Sequence, residues 1–113
     1  MAVEKMSFVL PAPSLAAAVA FWTEILGIEP TFVDGDRWAQ FDHQGVRLAL
    51  AGSDRVTDAP GVMLKVGGLE EACETVRGAG RSMSDIELGS HERRAVGTDP
   101  AGWPVILYEP RKR

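Results

Sequence analysis

An α+β fold is predicted: two βαβββ modules whose strands form a curved mixed sheet around a cleft, with the helices outside. Three observations predict it. An apolar pattern recurs after 54 residues. Each of two helices follows a short strand, and three extended runs follow each helix. On the 54-residue shift, Phe8 meets Val62, Leu10 meets Leu64, Ala18 meets Ala72, Val19 meets Cys73 and Trp22 meets Val76. The chain is read as one domain, with module one over about residues 4–51, a linker over 52–60 and module two over about 61–109.

The first strand is Lys5 to Leu10, closed by Pro11 and Pro13 because proline donates no ladder hydrogen bond. Ser14 stands as the N-cap of a helix whose Leu15, Val19, Trp22 and Leu26 share one face, and Gly27 ends it. Extended runs follow at Glu29–Val33, Arg37–Phe41 and Gly45–Ala51. Asp34-Gly35 and His43-Gln44-Gly45 are the turns between them. Module two repeats the plan. A strand over Gly61–Val66 precedes a helix over Leu69–Ala79, with Leu69, Ala72, Cys73 and Val76 inward and Gly80 at its end. Strands are expected over Arg81–Leu88, His91–Thr98 and Trp103–Tyr108.

The totals exclude several classes. A chain of 113 residues with 45% apolar and 25% charged residues is of globular composition. A net charge of −4 argues against nucleic-acid binding, and the basic end Arg111-Lys112-Arg113 is short. The single cysteine, Cys73, allows no intrachain disulfide, and no zinc-type cysteine cluster exists. The longest apolar stretch, Leu15 to Trp22, is too short for the roughly 20 residues of a membrane span. The expectation is a cytoplasmic protein with neither membrane nor nucleic acid as partner.

The run Ser14 to Ile28, with its Phe21-Trp22 pair and Leu26-Gly27 end, resembles the first helix of the vicinal oxygen chelate family. That family includes glyoxalase I, extradiol dioxygenases, fosfomycin-inactivating thiol transferases and metal-free bleomycin-binding proteins. Asp99-Pro100-Ala101-Gly102 resembles the turn before its last strand. The resemblance implies four metal-ligand positions, one in the first and last strand of each module. Here they hold Ser7, Ala49, Gly61 and Ile106. Alanine, glycine and isoleucine have no donor, and a serine hydroxyl does not replace imidazole or carboxylate. No metal and no other cofactor is therefore expected. His43, in a turn beside Asp42, and His91, near the start of a strand beside Glu92, are read as solvent-exposed histidines, and neither pair is expected to chelate, since neighbours on a strand point to opposite faces.

Strand alternation assigns the cleft side. Ser7 and Val9 face it while Phe8 and Leu10 pack under the helix. Trp38 and Gln40, Arg47, Ala49 and Ala51, Met63 and Lys65, and Pro104, Ile106 and Tyr108 are placed with them. The candidate ligand-binding residues are Ser7, Trp38, Gln40, Arg47, Ala49, Met63, Ile106 and Tyr108. Trp38 and Tyr108 are candidates for stacking, and Arg47 for pairing with a carboxylate or capping a ring. No general acid or base is nominated. The expectation is a metal-independent protein, working as a homodimer, that sequesters a partly aromatic organic molecule. The alternative is a diverged lyase or dioxygenase-like enzyme with non-standard metal ligands. Whether the modules pair within one chain or swap across a dimer is left open.

Overall fold

The computed structural model describes residues 1–111. Its elements run β1 (Val3–Pro11), α1 (Leu15–Leu26), β2 (Phe32–Asp34), β3 (Trp38–His43), β4 (Val46–Ala51), β5 (Gly61–Val66), α2 (Leu69–Gly78), β6 (Glu87–Leu88), β7 (Glu92–Thr98) and β8 (Pro104–Pro110). The order is βαβββ twice, an α+β fold as predicted. Two compact units divide the chain, one of residues 7–60 and one of residues 1–6 with the chain from 61 onward.

In the unit of residues 7–60 the strand order is β2-β3-β4-β1. β1 runs parallel to β4, while β3 is antiparallel to both β2 and β4. One face of this sheet is covered by α1. Leu15, Ala39, Phe41 and Leu50 are buried there with Ala12, and Leu10, Ala18, Val19, Trp22, Leu26 and Leu48 pack around them. The helical and strand periodicities therefore converge on one core. Phe8 shares that parity but is half exposed, because the cluster begins at Leu10. Ser14 takes the N-cap position without a side-chain capping bond, whereas Gly27 closes α1 in the left-handed region and donates to the Thr23 carbonyl at 2.9 Å. The β3–β4 turn is Gln44-Gly45, with φ of 49° and 83°. Two consecutive positive φ values are those of a type I′ turn, whose twist matches the strands it joins. Of the expected Glu29–Val33 run, the ladder begins only at Thr31, whose N–H reaches the Gln40 carbonyl at 2.8 Å. Pro30 has no N–H to extend it. The segment after β4 folds back, with Gly52 donating to Arg37 and Ser53 to Asp36.

The second unit repeats this order as β6-β7-β8-β5, with the first residues of β1 beyond β5. β5 is parallel to β8, and β7 is antiparallel to β8 and β6. Val66, Leu69, Ala72, Cys73, Ala95 and Leu107 form the core beneath α2. Gly68, at the N-cap, has no side chain to satisfy the first turn. Glu109 of β8 serves instead, its Oε2 accepting from the Leu69 N–H at 3.4 Å. Arg93 bridges Glu109 to Glu70 of the helix, and these hydrogen bonds, first that of Glu70, raise its already high pKa. At the other end Gly80 (φ 81°) completes a Schellman-type cap, with Arg81 donating to the Val76 carbonyl.

The strand expected over Arg81–Leu88 shrinks to Glu87–Leu88. Arg77 takes the carbonyls of Met83 and Ser84 at 3.2 and 2.8 Å, and the Ser84 hydroxyl, not a backbone carbonyl, accepts from Val96 N–H at 2.8 Å. Side chains thus replace the ladder locally. The Asp99–Trp103 turn before β8 is organised by the Asp99 carboxylate, which accepts from the N–H groups of Ala101 and Trp103, both at 2.9 Å. Lys112 and Arg113 lie outside the described residues. Arg111 donates to the Gly89 carbonyl at 3.3 Å. No described helix is long and apolar enough to cross a membrane.

Candidate functional site

The ladder registers place residues on the sheet face turned away from α1. Across β1, β4 and β3 one row is Ser7, Arg47 and Asp42. Val9, Ala49 and Gln40 form the next, extended by Phe32 of β2, and Pro11, Ala51, Trp38 and Asp34 form the third. Five of the expected contact residues, Ser7, Trp38, Gln40, Arg47 and Ala49, therefore share one surface of this unit. The centre is made of small side chains. Ser7, Val9, Ala49 and Ala51 are each less than 5% exposed, and Trp38 and Phe32 stand towards the outer strands.

Polarity on this face is tightly arranged. The Arg47 guanidinium forks onto Asp42, Nε to Oδ1 at 2.7 Å and Nη2 to Oδ2 at 3.2 Å, and Thr31 donates to the same carboxylate at 2.7 Å. Arg47, the candidate for pairing with a ligand carboxylate or capping a ring, is thus engaged by its cross-strand neighbour. Trp38 Nε1 donates to Gln40 Oε1 at 3.3 Å. Ser7 Oγ, by contrast, is buried and has no hydrogen-bond partner among the described residues. A buried hydroxyl without a partner is uncommon in a native protein and calls for an explanation.

In the second unit the face away from α2 carries the three remaining candidates. Met63 pairs with Ile106, and Lys65 with Tyr108. Val96 and Arg94 of β7 continue these two rows. Met63 and Ile106 are buried, and Tyr108 is half-buried. The sequence reading overlooked Arg94 and Glu92 on this face, whose side chains are only 9% and 10% exposed. The signal was available, since counting outward from core Ala95 puts both opposite the helix. Arg94 lies 3.8 Å from Glu92 Oε1 and 3.6 Å from Glu87 Oε1. Gly89 backs onto the pair: a Cβ there would stand 2.5 Å from Glu92 Oε1 and 2.6 Å from Arg94 Nη1.

The four positions that resemble metal-ligand sites do not fit a metal ion. Ser7 and Ala49 lie on adjacent strands of one unit, Gly61 and Ile106 on adjacent strands of the other. Only Ser7 carries a donor atom. At Gly61 the backbone itself is closed, because a Cβ would meet the Pro104 carbonyl oxygen at 2.6 Å. No histidine could stand there without separating the strands. Among the described residues no group of three His, Cys, Asp or Glu is placed to hold an ion. His43 and His91 are both exposed. Cys73 is buried against α2's core, and burial pushes its thiol pKa up.

No family model matches the sequence. An uncharacterised protein of Mycolicibacterium smegmatis is 32% identical over 109 residues, covering 93% of this chain and 92% of that protein. Solved structures with the same fold include the NAD-dependent benzaldehyde dehydrogenase from Legionella pneumophila (TM-score 0.85, 15% identity, 94% of this chain and 99% of that one). A glyoxalase/bleomycin resistance protein/dioxygenase superfamily member from Vibrio splendidus follows (0.70, 16%, 93% and 97%). The Streptomyces coelicolor methylmalonyl-CoA epimerase, in complex with 2-nitronate-propionyl-CoA, is similar too (0.72, 14%, 98% and 100%). At these identities the structures speak for the fold, and one fold hosts unrelated chemistries.

Proposed function

We propose that this chain, which belongs to the glyoxalase/bleomycin resistance/dioxygenase superfamily and to one family with the M. smegmatis protein, is a metal-independent binding protein that sequesters a partly aromatic organic molecule. The observation that carries the reading is the face of residues 7–60. It combines a buried, unpartnered hydroxyl at Ser7, small side chains at Ala49 and Ala51, and an aromatic flank at Trp38. The ring offers stacking and the hydroxyl offers one directional bond. In the second unit Met63, Ile106 and Tyr108 stand on the corresponding face beside the charged Lys65, Arg94 and Glu92. Neither face offers the donor set for metal-assisted chemistry, which sets this reading ahead of a lyase or dioxygenase.

A thermal-shift screen over aromatic compounds and divalent metals tests it, because a ligand bound only by the folded state raises the melting temperature. An organic ligand is expected to stabilise the chain and metal ions are not. Stabilisation by a transition metal instead of any organic compound would replace this reading with the enzyme. With a ligand in hand, Trp38→Ala should weaken binding about two- to tenfold, corresponding to the ~0.5–1.5 kcal/mol of an aromatic contact. Unchanged affinity would remove Trp38 from the site. The reading includes a cytoplasmic homodimer, for which light scattering should return twice the 12.2 kDa chain mass.

A further inference from the structure

Resting on that reading, we propose that the face of residues 7–60 selects an uncharged planar ligand, anchored by a hydrogen bond to Ser7 Oγ, and rejects carboxylates and cations. The argument starts from charge. The charged side chains in the three rows are Asp42, Arg47 and Asp34. Arg47 and Asp42 neutralise each other through two parallel bonds, and Asp34 is held the same way by Arg37, Nε to Oδ2 at 2.9 Å and Nη2 to Oδ1 at 2.6 Å. A bidentate fork is the strongest geometry that this pair of groups adopts. A ligand carboxylate aimed at Arg47 has to displace Asp42, leaving two anions side by side. A ligand cation aimed at Asp42 meets Arg47 in the same way. The pair is electrically closed to either sign.

Between the two ion pairs the surface is neutral: Val9, Ala49 and Gln40, then Pro11, Ala51 and Trp38. Ser7 is the register partner of Arg47, and its hydroxyl is the one polar group of this face that is buried with no partner among the described residues. A hydroxyl donates and accepts, so a carbonyl, amide or phenol matches it without bringing a charge. An uncharged group also enters a buried position without the desolvation cost of an ion.

Three probes on one ring test this with the full chain at neutral pH: naphthalene-2-carboxamide, naphthalene-2-carboxylate and naphthalene-2-carboxamidine, measured by calorimetry and thermal shift. The amide should bind at least tenfold more tightly than either charged isostere. Ser7→Ala should weaken the amide about fivefold or more while leaving the melting temperature of the free protein unchanged or higher. Asp42→Asn, which releases Arg47, should turn the preference towards the carboxylate. A wild-type protein that binds the carboxylate or amidine as well as the amide overturns the proposal and leaves the binding function standing. Amide affinity untouched by Ser7→Ala overturns the anchor. If no probe binds at millimolar concentration, the binding function itself falls, and this inference with it.

Discussion

The two modules share strand order and helix placement, yet their helix-free faces carry different side chains. In module one the face holds Ser7, Ala49 and Ala51, small side chains beside Trp38, with its charges locked in Arg47–Asp42 and Asp34–Arg37 forks. In module two the related face is filled. Met63 and Ile106 occupy its middle, Arg94 and Glu92 are buried beyond them, and Gly89 and Gly61 are pressed against neighbouring atoms. Topology is preserved because the helix-side cores, around Phe41 and Leu50 or Leu107 and Ala95, depend only on alternating apolar positions. The opposite faces carry no such constraint and differ in residue type. Under the proposed function, the difference assigns ligand selectivity to module one's face.

The sharpest way to break this comparison is at Ser7 and Gly61, which correspond under the 54-residue shift. Gly61→Ala drives a Cβ to 2.6 Å from the Pro104 carbonyl, so β5 and β8 must separate. A loss of about 2–3 kcal/mol is expected, typical of overpacking against an unyielding neighbour. Ser7→Ala removes a hydroxyl that has no partner among the described residues and should change stability by less than about 0.5 kcal/mol, or raise it. Urea unfolding of both variants measures the contrast. Equal effects would mean that module one's face is as closed as module two's.

The helices sharpen the same contrast at a smaller scale. α1 begins at a serine that makes no capping bond, while α2 begins at a glycine and borrows the Glu109 carboxylate from β8. Glu109→Ala should cost about 0.5–2 kcal/mol, the range of a lost N-terminal cap, whereas Ser14→Ala should stay below about 0.5. Guanidinium unfolding midpoints decide it. A larger loss at Ser14 would show that the serine caps in solution.

Much of this was legible in the sequence, and the reason is periodicity. Period-two alternation put Ser7, Arg47, Ala49, Gln40 and Trp38 on one face, and helical spacing put Leu15, Val19, Trp22 and Leu26 on another, as the registers and core show. What escaped depends on contacts between distant residues. The strand after α2 gave way because Arg77 captured two carbonyls and Ser84 substituted for a third, which no local pattern announces. The closure of Gly61 by Pro104 is a backbone approach across 43 positions and leaves no trace in residue type. The Arg47–Asp42 fork was within reach. Both residues flank the Gln44-Gly45 turn, and pairing across it follows once the turn is known to have two residues. Arg94 and Glu92 escaped because charged side chains are almost never buried unless paired, and residue type alone does not announce the pairing.

The smallest expected effect concerns Cys73, which aligns with Val19 under the repeat and puts a titratable group in module two's helix-side core. Burial raises the thiol pKa in the folded state, with Glu70 adding to the shift and Arg77 opposing it. The unfolded chain then ionises first as pH rises. The folded state's advantage is complete below the ordinary thiol value of about 8.5 and is lost as pH climbs from there through the raised folded value. One group gives a slope of at most about 1.4 kcal/mol per pH unit over that window, and a loss of less than about 1 kcal/mol is expected across its first half unit. Cys73→Ala should abolish this component whatever it does to stability near neutrality, so the slope of unfolding free energy against pH is the quantity to compare. The native thiol should likewise resist thiol reagents until the protein unfolds. An identical alkaline slope in wild type and Cys73→Ala would place the thiol in water and loosen the core assigned to α2.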